Sequence, residues 1–89
     1  YYKQGHYGIR IENLIAVSAP APVSRGEIDM HAFETLTLAP IDRRLVDTAL
    51  LSSEERDWLN AYHQRVFDEI SPQVDGEVAA WLVKATTPL

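Results

Sequence analysis

The fold is decided by the stretch Gly8-Ile9-Arg10-Ile11-Glu12-Asn13-Leu14-Ile15-Ala16-Val17, where charged residues stand inside an otherwise apolar strand pattern. Side chains of a strand alternate between its two faces, so Arg10 and Glu12 share one face with Leu14 and Ala16, while isoleucines line the other. A strand with apolar residues on both faces is usually covered on both. We therefore predict a strand from about Gly8 to Ser18, in which Arg10 and Glu12 are at least partly buried.

A buried Glu12 carboxylate requires a partner, because removing an unpaired charge from water is costly. Two interpretations are open. Glu12 forms an internal ion pair with Arg10, which lies two residues away on the same face, or it is a metal-binding or catalytic carboxylate. The spacing alone favours the ion pair and does not establish the second interpretation.

A second strand is predicted from Phe33 to Ala39, where large apolar residues alternate with threonine. Antiparallel pairing with the first strand gives a hairpin with a long connection over residues 19–32. Two prolines remove backbone donors at the start of this connection, and Ser24-Arg25-Gly26 is typical of a turn. The outer edges of such a hairpin carry unpaired backbone donors and acceptors, which can pair with another strand.

Two helices follow the hairpin. Ser52 and Glu55 form a capping box that begins a helix from about Ser53 to Ile70. Its apolar stripe contains the residues Trp58, Leu59, Tyr62, Val66, Phe67 and Ile70. Ser71-Pro72 ends this helix, and Asp75 and Glu77 open a second one. The apolar side of the second helix contains Val78, Trp81, Leu82 and Ala85. The predicted fold class is thus α+β: a long-looped antiparallel β-hairpin followed by two packed C-terminal α-helices.

The histidines and the arginine pair outside the first strand are interpreted structurally. We expect His6 to be solvated in a glycine-containing loop and His31 to have a structural role. His63 lies beside the apolar stripe, which favours a packed or hydrogen-bonded side chain over a catalytic one. Arg43 and Arg44 are interpreted as a solvated pair.

Composition excludes several classes of function. Thirteen acidic residues against eight basic ones give a net charge of −5, and the chain lacks the clustered cations that bind nucleic acid. Apolar runs are far shorter than the roughly 20 residues of a membrane helix. The chain has no cysteine, which is consistent with a cytoplasmic protein and excludes thiolate metal sites. No His-Glu-x-x-His, phosphate-binding glycine loop or nucleophile elbow occurs, so no independent active site is predicted here.

Several motifs occur in order along the chain: Tyr1-Tyr2, Gly8-Ile9-Arg10-Ile11-Glu12-Asn13, Phe33-Glu34-Thr35-Leu36-Thr37-Leu38-Ala39-Pro40-Ile41, Trp58-Leu59-Asn60-Ala61-Tyr62-His63, Trp81-Leu82 and Thr87-Pro88-Leu89. Together they resemble the C-terminal end of the Xaa-Pro aminopeptidases, or aminopeptidases P, of the pita-bread metallopeptidase family. The stretch after the first strand shares little with the family pattern beyond Arg25-Gly26.

The resemblance implies a C-terminal fragment of a longer dinuclear metalloaminopeptidase, which releases the N-terminal residue from peptides with Pro at the second position. The family's metal site is a cage of two Asp, one His and two Glu. Only the last Glu maps onto this chain, as Glu12, which would bridge two divalent ions such as Mn, Zn or Co. Arg10 would hydrogen-bond a ligand Asp and fix its orientation. The fragment alone is expected to be inactive and to hold no metal.

By the same resemblance, residues 1–42 form the C-terminal end of the pita-bread catalytic domain, and residues 43–89 form a helical extension that packs on it. The competing hypothesis is a free-standing interaction module, with a structural Arg10/Glu12 pair and an exposed sheet edge that recruits a partner strand. A truncated sheet and exposed apolar helix faces also favour self-association into homo-oligomers.

Overall fold

The computed structural model describes all residues, 1–89, and the chain divides into two compact units, Tyr1–Thr37 and Leu38–Leu89. The first unit holds all the strands and the second holds both α-helices. The predicted α+β class is confirmed. We describe each unit by itself.

The first unit begins with a small hairpin. Strands β1 (Tyr2–Lys3) and β2 (Tyr7–Gly8) pair antiparallel. The turn between them is closed by a hydrogen bond from the His6 amide to the Lys3 carbonyl, 3.0 Å long. Gly5 adopts φ 74° in this turn, a conformation that favours glycine because a side chain would be strained there.

The predicted long-looped hairpin is formed by β3 (Ile15–Val17) and β4 (Phe33–Thr35), which pair antiparallel with Ala16 opposite Glu34. Within the long connection, Ala21 and Met30 form an isolated antiparallel β-bridge, so the two sides of the connection are hydrogen-bonded to each other there. The predicted turn at its tip is confirmed, because the Gly26 amide donates to the Val23 carbonyl over 2.8 Å.

Both strands of this hairpin are shorter than predicted. The first was expected from Gly8 to Ser18 and the second from Phe33 to Ala39, whereas the paired residues are Ile15–Val17 and Phe33–Thr35. Alternation of side chains shows which residues favour an extended backbone, but a strand continues only where a neighbouring strand accepts its hydrogen bonds. Residues 10–13 therefore make no ladder hydrogen bonds in this chain.

The second unit is built on helix α1 (Ser53–Ile70), whose bounds are those predicted. The capping box is complete: the Ser52 hydroxyl accepts the Glu55 amide at 3.2 Å, and the Glu55 carboxylate accepts the Ser52 amide at 2.9 Å. One-turn 3-10 helices occur at Arg43–Leu45 and Ser71–Gln73. Helix α2 (Gly76–Ala85) completes the unit.

The core of the second unit is small and lies between the two helices. Its buried apolar residues are Leu59, Tyr62, Val66 and Leu82, and Leu89 packs partly buried against them. Trp58 and Trp81 were expected on core-facing stripes, yet each is 58% exposed. The Trp58 ring instead stacks on Tyr62 at the edge of the core, with ring centroids 5.6 Å apart and planes 2° from parallel.

Candidate functional site

The Arg10 and Glu12 side chains form a two-point ion pair. Arg10 Nε lies 2.8 Å from Glu12 Oε1, and a terminal guanidinium nitrogen donates to Glu12 Oε2 at 3.0 Å. This fork geometry uses both carboxylate oxygens and fixes the plane of the carboxylate more firmly than a single contact would. The pair that the spacing suggested is therefore present.

The prediction that Arg10 and Glu12 are partly buried is wrong for this chain. Their side chains are 59% and 63% exposed. Burial was inferred from apolar residues on both faces of the strand, but β3 has β4 as its only neighbouring strand and both faces of the stretch lie open. The carboxylate of Glu12 is accordingly accessible to a bound ion.

The backbone that carries Glu12 is held at two points on either side of it. Towards the N-terminus, Ile9 exchanges two hydrogen bonds with Tyr1, each 2.8 Å long. Towards the C-terminus, the Leu14 amide donates to the Thr37 hydroxyl at 2.8 Å, and the Leu14 carbonyl accepts from the Leu36 amide at 2.8 Å. Residues 10–13 make no backbone hydrogen bond between these two points. The hydrogen bond between the Leu14 amide and the Thr37 hydroxyl was not predicted from the sequence, because the alternation of Thr and Leu does not indicate which residue Thr37 contacts.

No group of three or more His, Cys, Asp or Glu side chains in the chain is placed to hold a metal ion. Glu12 is thus a single oxygen donor group. Its ionised carboxylate is a suitable ligand for a hard divalent cation, but a complete site needs further ligands. The Nδ1 of His31 is hydrogen-bonded to the Ser18 carbonyl over 2.8 Å, which agrees with the structural role predicted for it.

His63, in the second unit, is fully buried with 0% of its surface exposed. Its Nε2 accepts the amide hydrogen of Ile41 at 3.0 Å, so the neutral ring carries its proton on Nδ1, which makes no hydrogen bond. Burial, together with the positive charge of Arg43, lowers the pKa of His63. The neighbouring Tyr62 hydroxyl donates to the Ala39 carbonyl at 2.8 Å. The structural interpretation of His63 is therefore confirmed, and its role is to hold the segment that precedes the first 3-10 helix.

A basic groove of about 410 Å³ lies in the second unit, between residues 40–44 and the end of α2, where Trp81 and Lys84 contribute to its wall. Arg43 and Arg44, interpreted from sequence as a solvated pair, behave differently. Arg44 is 88% exposed and pairs with Asp42 at 2.6 Å, and hydrogen bonds from its side chain and backbone lower the pKa of Asp42 to about 2. Arg43 is half-buried and donates to the Pro88 carbonyl at 3.1 Å. Arg43 and Arg44, two of the three basic side chains that line the groove, are therefore bonded to other residues of the chain.

Comparison with known proteins places these features in a family. Residues 29–89 match the family described as the C-terminal region of peptidase M24. The chain belongs to the M24 peptidases. Glu12 and Arg10 precede the matched region of this M24 chain, but they lie within the full-length alignments to its individual relatives.

Two of these relatives illustrate the similarity. The M24 chain is 41% identical to a probable Xaa-Pro aminopeptidase P of Coprinopsis cinerea over 92 aligned positions, which cover 100% of this chain and 15% of the relative. It is 44% identical to aminopeptidase P2 of Arabidopsis thaliana, covering 100% of this chain and 13% of that protein. The M24 chain thus spans a small part of the length of the curated relatives that it matches.

A solved structure gives the same result. The M24 chain superposes on an X-prolyl aminopeptidase from Caenorhabditis elegans with a TM-score of 0.83 and 39% sequence identity, covering 100% of this chain and 15% of that one. The nematode protein is described as a cytosolic enzyme with a dinuclear active site. Recognition of the aminopeptidase P family from sequence motifs is confirmed, and nothing in these comparisons supports a free-standing interaction module. No helix of the chain has the length and apolar character needed to cross a bilayer.

Proposed function

We propose that these residues are the C-terminal part of a dinuclear metal-dependent aminopeptidase, a hydrolase that releases the N-terminal residue from peptides with Pro at the second position. The observation that carries the proposal is similarity over the whole chain to proteins named for that activity, at 41% and 44% identity. The dinuclear active site described for the nematode enzyme, which is 39% identical over the same residues, supports a requirement for two metal ions.

Glu12 is the residue that this chain contributes to the metal site. Its carboxylate is exposed and is held in a defined plane by Arg10. A carboxylate has two oxygens with which it can bind two cations. The negative charge of Glu12 would offset the mutual repulsion of two divalent ions. Divalent ions such as Mn, Zn or Co, when bound there, would supply Lewis-acid chemistry to the hydrolysis.

Arg10 is a positioning residue in this proposal. Its guanidinium holds both oxygens of Glu12, at 2.8 and 3.0 Å, and so limits rotation of the carboxylate before metal is bound. In the complete enzyme Arg10 also orients a ligand Asp from outside this chain, as partners of metal ligands commonly do. A guanidinium suits this task because its planar donors match two acceptors at once.

The remaining proposals concern the domain division, the substrate, the location and the oligomeric state. Residues 1–42 belong to the end of the catalytic domain, and residues 43–89 form its helical extension. The substrate is a peptide, and the whole enzyme works in the cytosol, as described for the nematode protein. Apolar side chains exposed on this chain, among them Trp81 and Val78, are the observation that supports self-association.

The test is Glu12→Gln in the longest natural protein that contains these residues. Gln keeps the size and hydrogen-bonding ability of Glu but removes the charge that holds a cation. We expect loss of at least one bound metal ion per chain by elemental analysis, and a fall in kcat/KM on an Xaa-Pro peptide of at least about 100-fold, above the cost of losing an outer partner of a ligand.

Glu27→Gln is the matched control, because Glu27 is an exposed carboxylate in the long connection with no ion pair. It removes the same charge and is expected to leave metal content and turnover unchanged. Unaltered metal content in Glu12→Gln, with a folded protein by circular dichroism, would remove Glu12 from the site.

A further inference from the structure

We infer that Thr37 is a positioning residue for Glu12. Its hydroxyl ends the pairing of β3 with β4 and thereby sets where the segment that carries Glu12 leaves the sheet. The inference rests on the proposed function, in which Glu12 binds metal.

The hydrogen bonds at Leu14 depart from a regular ladder. Continuing the pairing of Ala16 with Glu34 would place Leu14 opposite Leu36, and in a regular antiparallel pair the Leu14 amide would then donate to the Leu36 carbonyl. It donates instead to the Thr37 hydroxyl at 2.8 Å. The Leu14 carbonyl accepts from both the Leu36 amide at 2.8 Å and the Thr37 amide at 3.3 Å. Two residues on one side therefore oppose one on the other, which is the pattern of a β-bulge.

A bulge bends the chain and terminates pairing, and such features are common next to active sites because they re-aim a side chain. Here the bulge lies two residues after Glu12. Since residues 10–13 make no backbone hydrogen bond, the position of Glu12 depends on the fixed points at Ile9 and Leu14, of which Leu14 is the nearer. A metal ligand needs to be placed within roughly 0.5 Å of its working position, so loosening that fixed point weakens the site.

The other end of the same ladder provides a matched arrangement. The Ser18 hydroxyl accepts the Ala32 amide at 2.9 Å, while the Ser18 amide donates to the Ala32 carbonyl at 2.9 Å. A hydroxyl side chain thus replaces a backbone acceptor at both ends of β3 and β4. Of the two hydroxyls, only that of Thr37 bonds a residue near Glu12 in the chain, namely Leu14. Loss of the Ser18 hydroxyl therefore tests general weakening of the hairpin.

The experiment compares Thr37→Val, Thr37→Ser and Ser18→Ala with the unaltered enzyme, each in the longest natural protein. Valine keeps the shape of threonine without the hydroxyl, whereas serine keeps the hydroxyl. Each metal-stripped protein is titrated with Mn²⁺, and binding is followed by the electron paramagnetic resonance signal of the ion. We expect Thr37→Val to weaken Mn²⁺ binding about 10-fold, the lower range for loss of a group that supports a ligand.

Thr37→Ser keeps the hydroxyl and is expected to bind Mn²⁺ with an affinity within about 2-fold of that of the unaltered enzyme. Ser18→Ala is also expected to bind Mn²⁺ within about 2-fold of the unaltered enzyme. The inference is overturned if Thr37→Val binds Mn²⁺ as tightly as the unaltered enzyme. It is also overturned if Ser18→Ala weakens Mn²⁺ binding as much as Thr37→Val does. Glu12→Gln separates the two claims. If that variant loses metal while Thr37→Val does not, only the role of Thr37 is wrong; if Glu12→Gln itself keeps full metal, the proposed site is wrong and the inference falls with it.

Discussion

The side chain of His63 shows how one buried residue can make the fold sensitive to pH. Its Nε2 accepts the Ile41 amide only when that nitrogen carries no proton, and burial lowers its pKa below the usual 6.5. Above that value both the folded and the unfolded chain contain neutral imidazole. As the pH falls below 6.5, the unfolded chain takes up a proton more readily than the folded one, and the free energy of unfolding decreases.

His63→Gln tests this dependence, because a glutamine side-chain oxygen accepts the Ile41 amide but does not titrate. We expect the wild-type protein to lose stability between pH 7 and pH 5 and the variant to lose less over that range, measured by denaturant unfolding of the second unit. His63→Ala is expected to cost about 1–3 kcal/mol at pH 7, because it leaves a part-buried amide without its partner. An identical pH dependence in wild type and His63→Gln would contradict this role.

At the scale of an element, the start of α1 depends on side chains that lie next to each other in the sequence. Ser52 and Glu55 satisfy each other's backbone amides. Hydrogen bonds to its own amide and to the hydroxyls of Ser52 and Ser53 lower the pKa of Glu54, so its carboxylate stays charged at the positive end of the helix dipole.

Ser52→Ala is expected to destabilise the helix by about 0.5–2 kcal/mol, because one amide of the first turn loses its acceptor. The measurement is thermal or denaturant unfolding followed by far-ultraviolet circular dichroism. Ser53→Ala is the control: Ser53 is the first residue of the helix and its hydroxyl accepts no backbone amide, so the change is expected to be close to neutral. Equal loss in both variants would show that the capping box contributes little.

Elements defined by neighbouring residues were predicted well from sequence, and those that depend on distant partners were not. The bounds of α1 follow from its capping box, its periodic stripe and Pro72. The strand around Glu12 was predicted too long, because pairing depends on what lies beside it. Glu12 was proposed as a metal ligand through motif resemblance. The role inferred for Thr37 rests on its hydrogen bond to Leu14, which no pattern along the chain predicts.

At the scale of the whole molecule, Arg43 joins parts of the second unit that are far apart in sequence. It reaches the Pro88 carbonyl at 3.1 Å and the Lys84 carbonyl at 3.5 Å, at the end of α2. The last residue is held as well, since the Leu89 amide donates to the Asn60 side chain at 2.8 Å. A cation near helix C-terminal carbonyls also interacts favourably with the helix dipole.

Arg43→Met keeps much of the side-chain length but removes these donors. We expect a loss of about 1–3 kcal/mol in the free energy of unfolding, typical of hydrogen bonds from a charged group, and faster amide exchange in residues 86–89. Arg44→Met is a matched control at the adjacent position, where the side chain is exposed and its ion pair with Asp42 is solvated. It is expected to leave both measurements unchanged; comparable effects from the two variants would show that Arg43 has no special role.

The two hydroxyl contacts at the ends of β3 and β4 also have a consequence for strand register. Side chains alternate along a strand, so a slip of one residue would exchange the faces of the whole hairpin, and a ladder of only three pairs resists such a slip weakly. With Ser18 bonded to Ala32 and Thr37 bonded to Leu14, any slip breaks a specific contact at each end. Two small side chains thus select one alignment of the short hairpin, and with it the face on which Glu12 is presented.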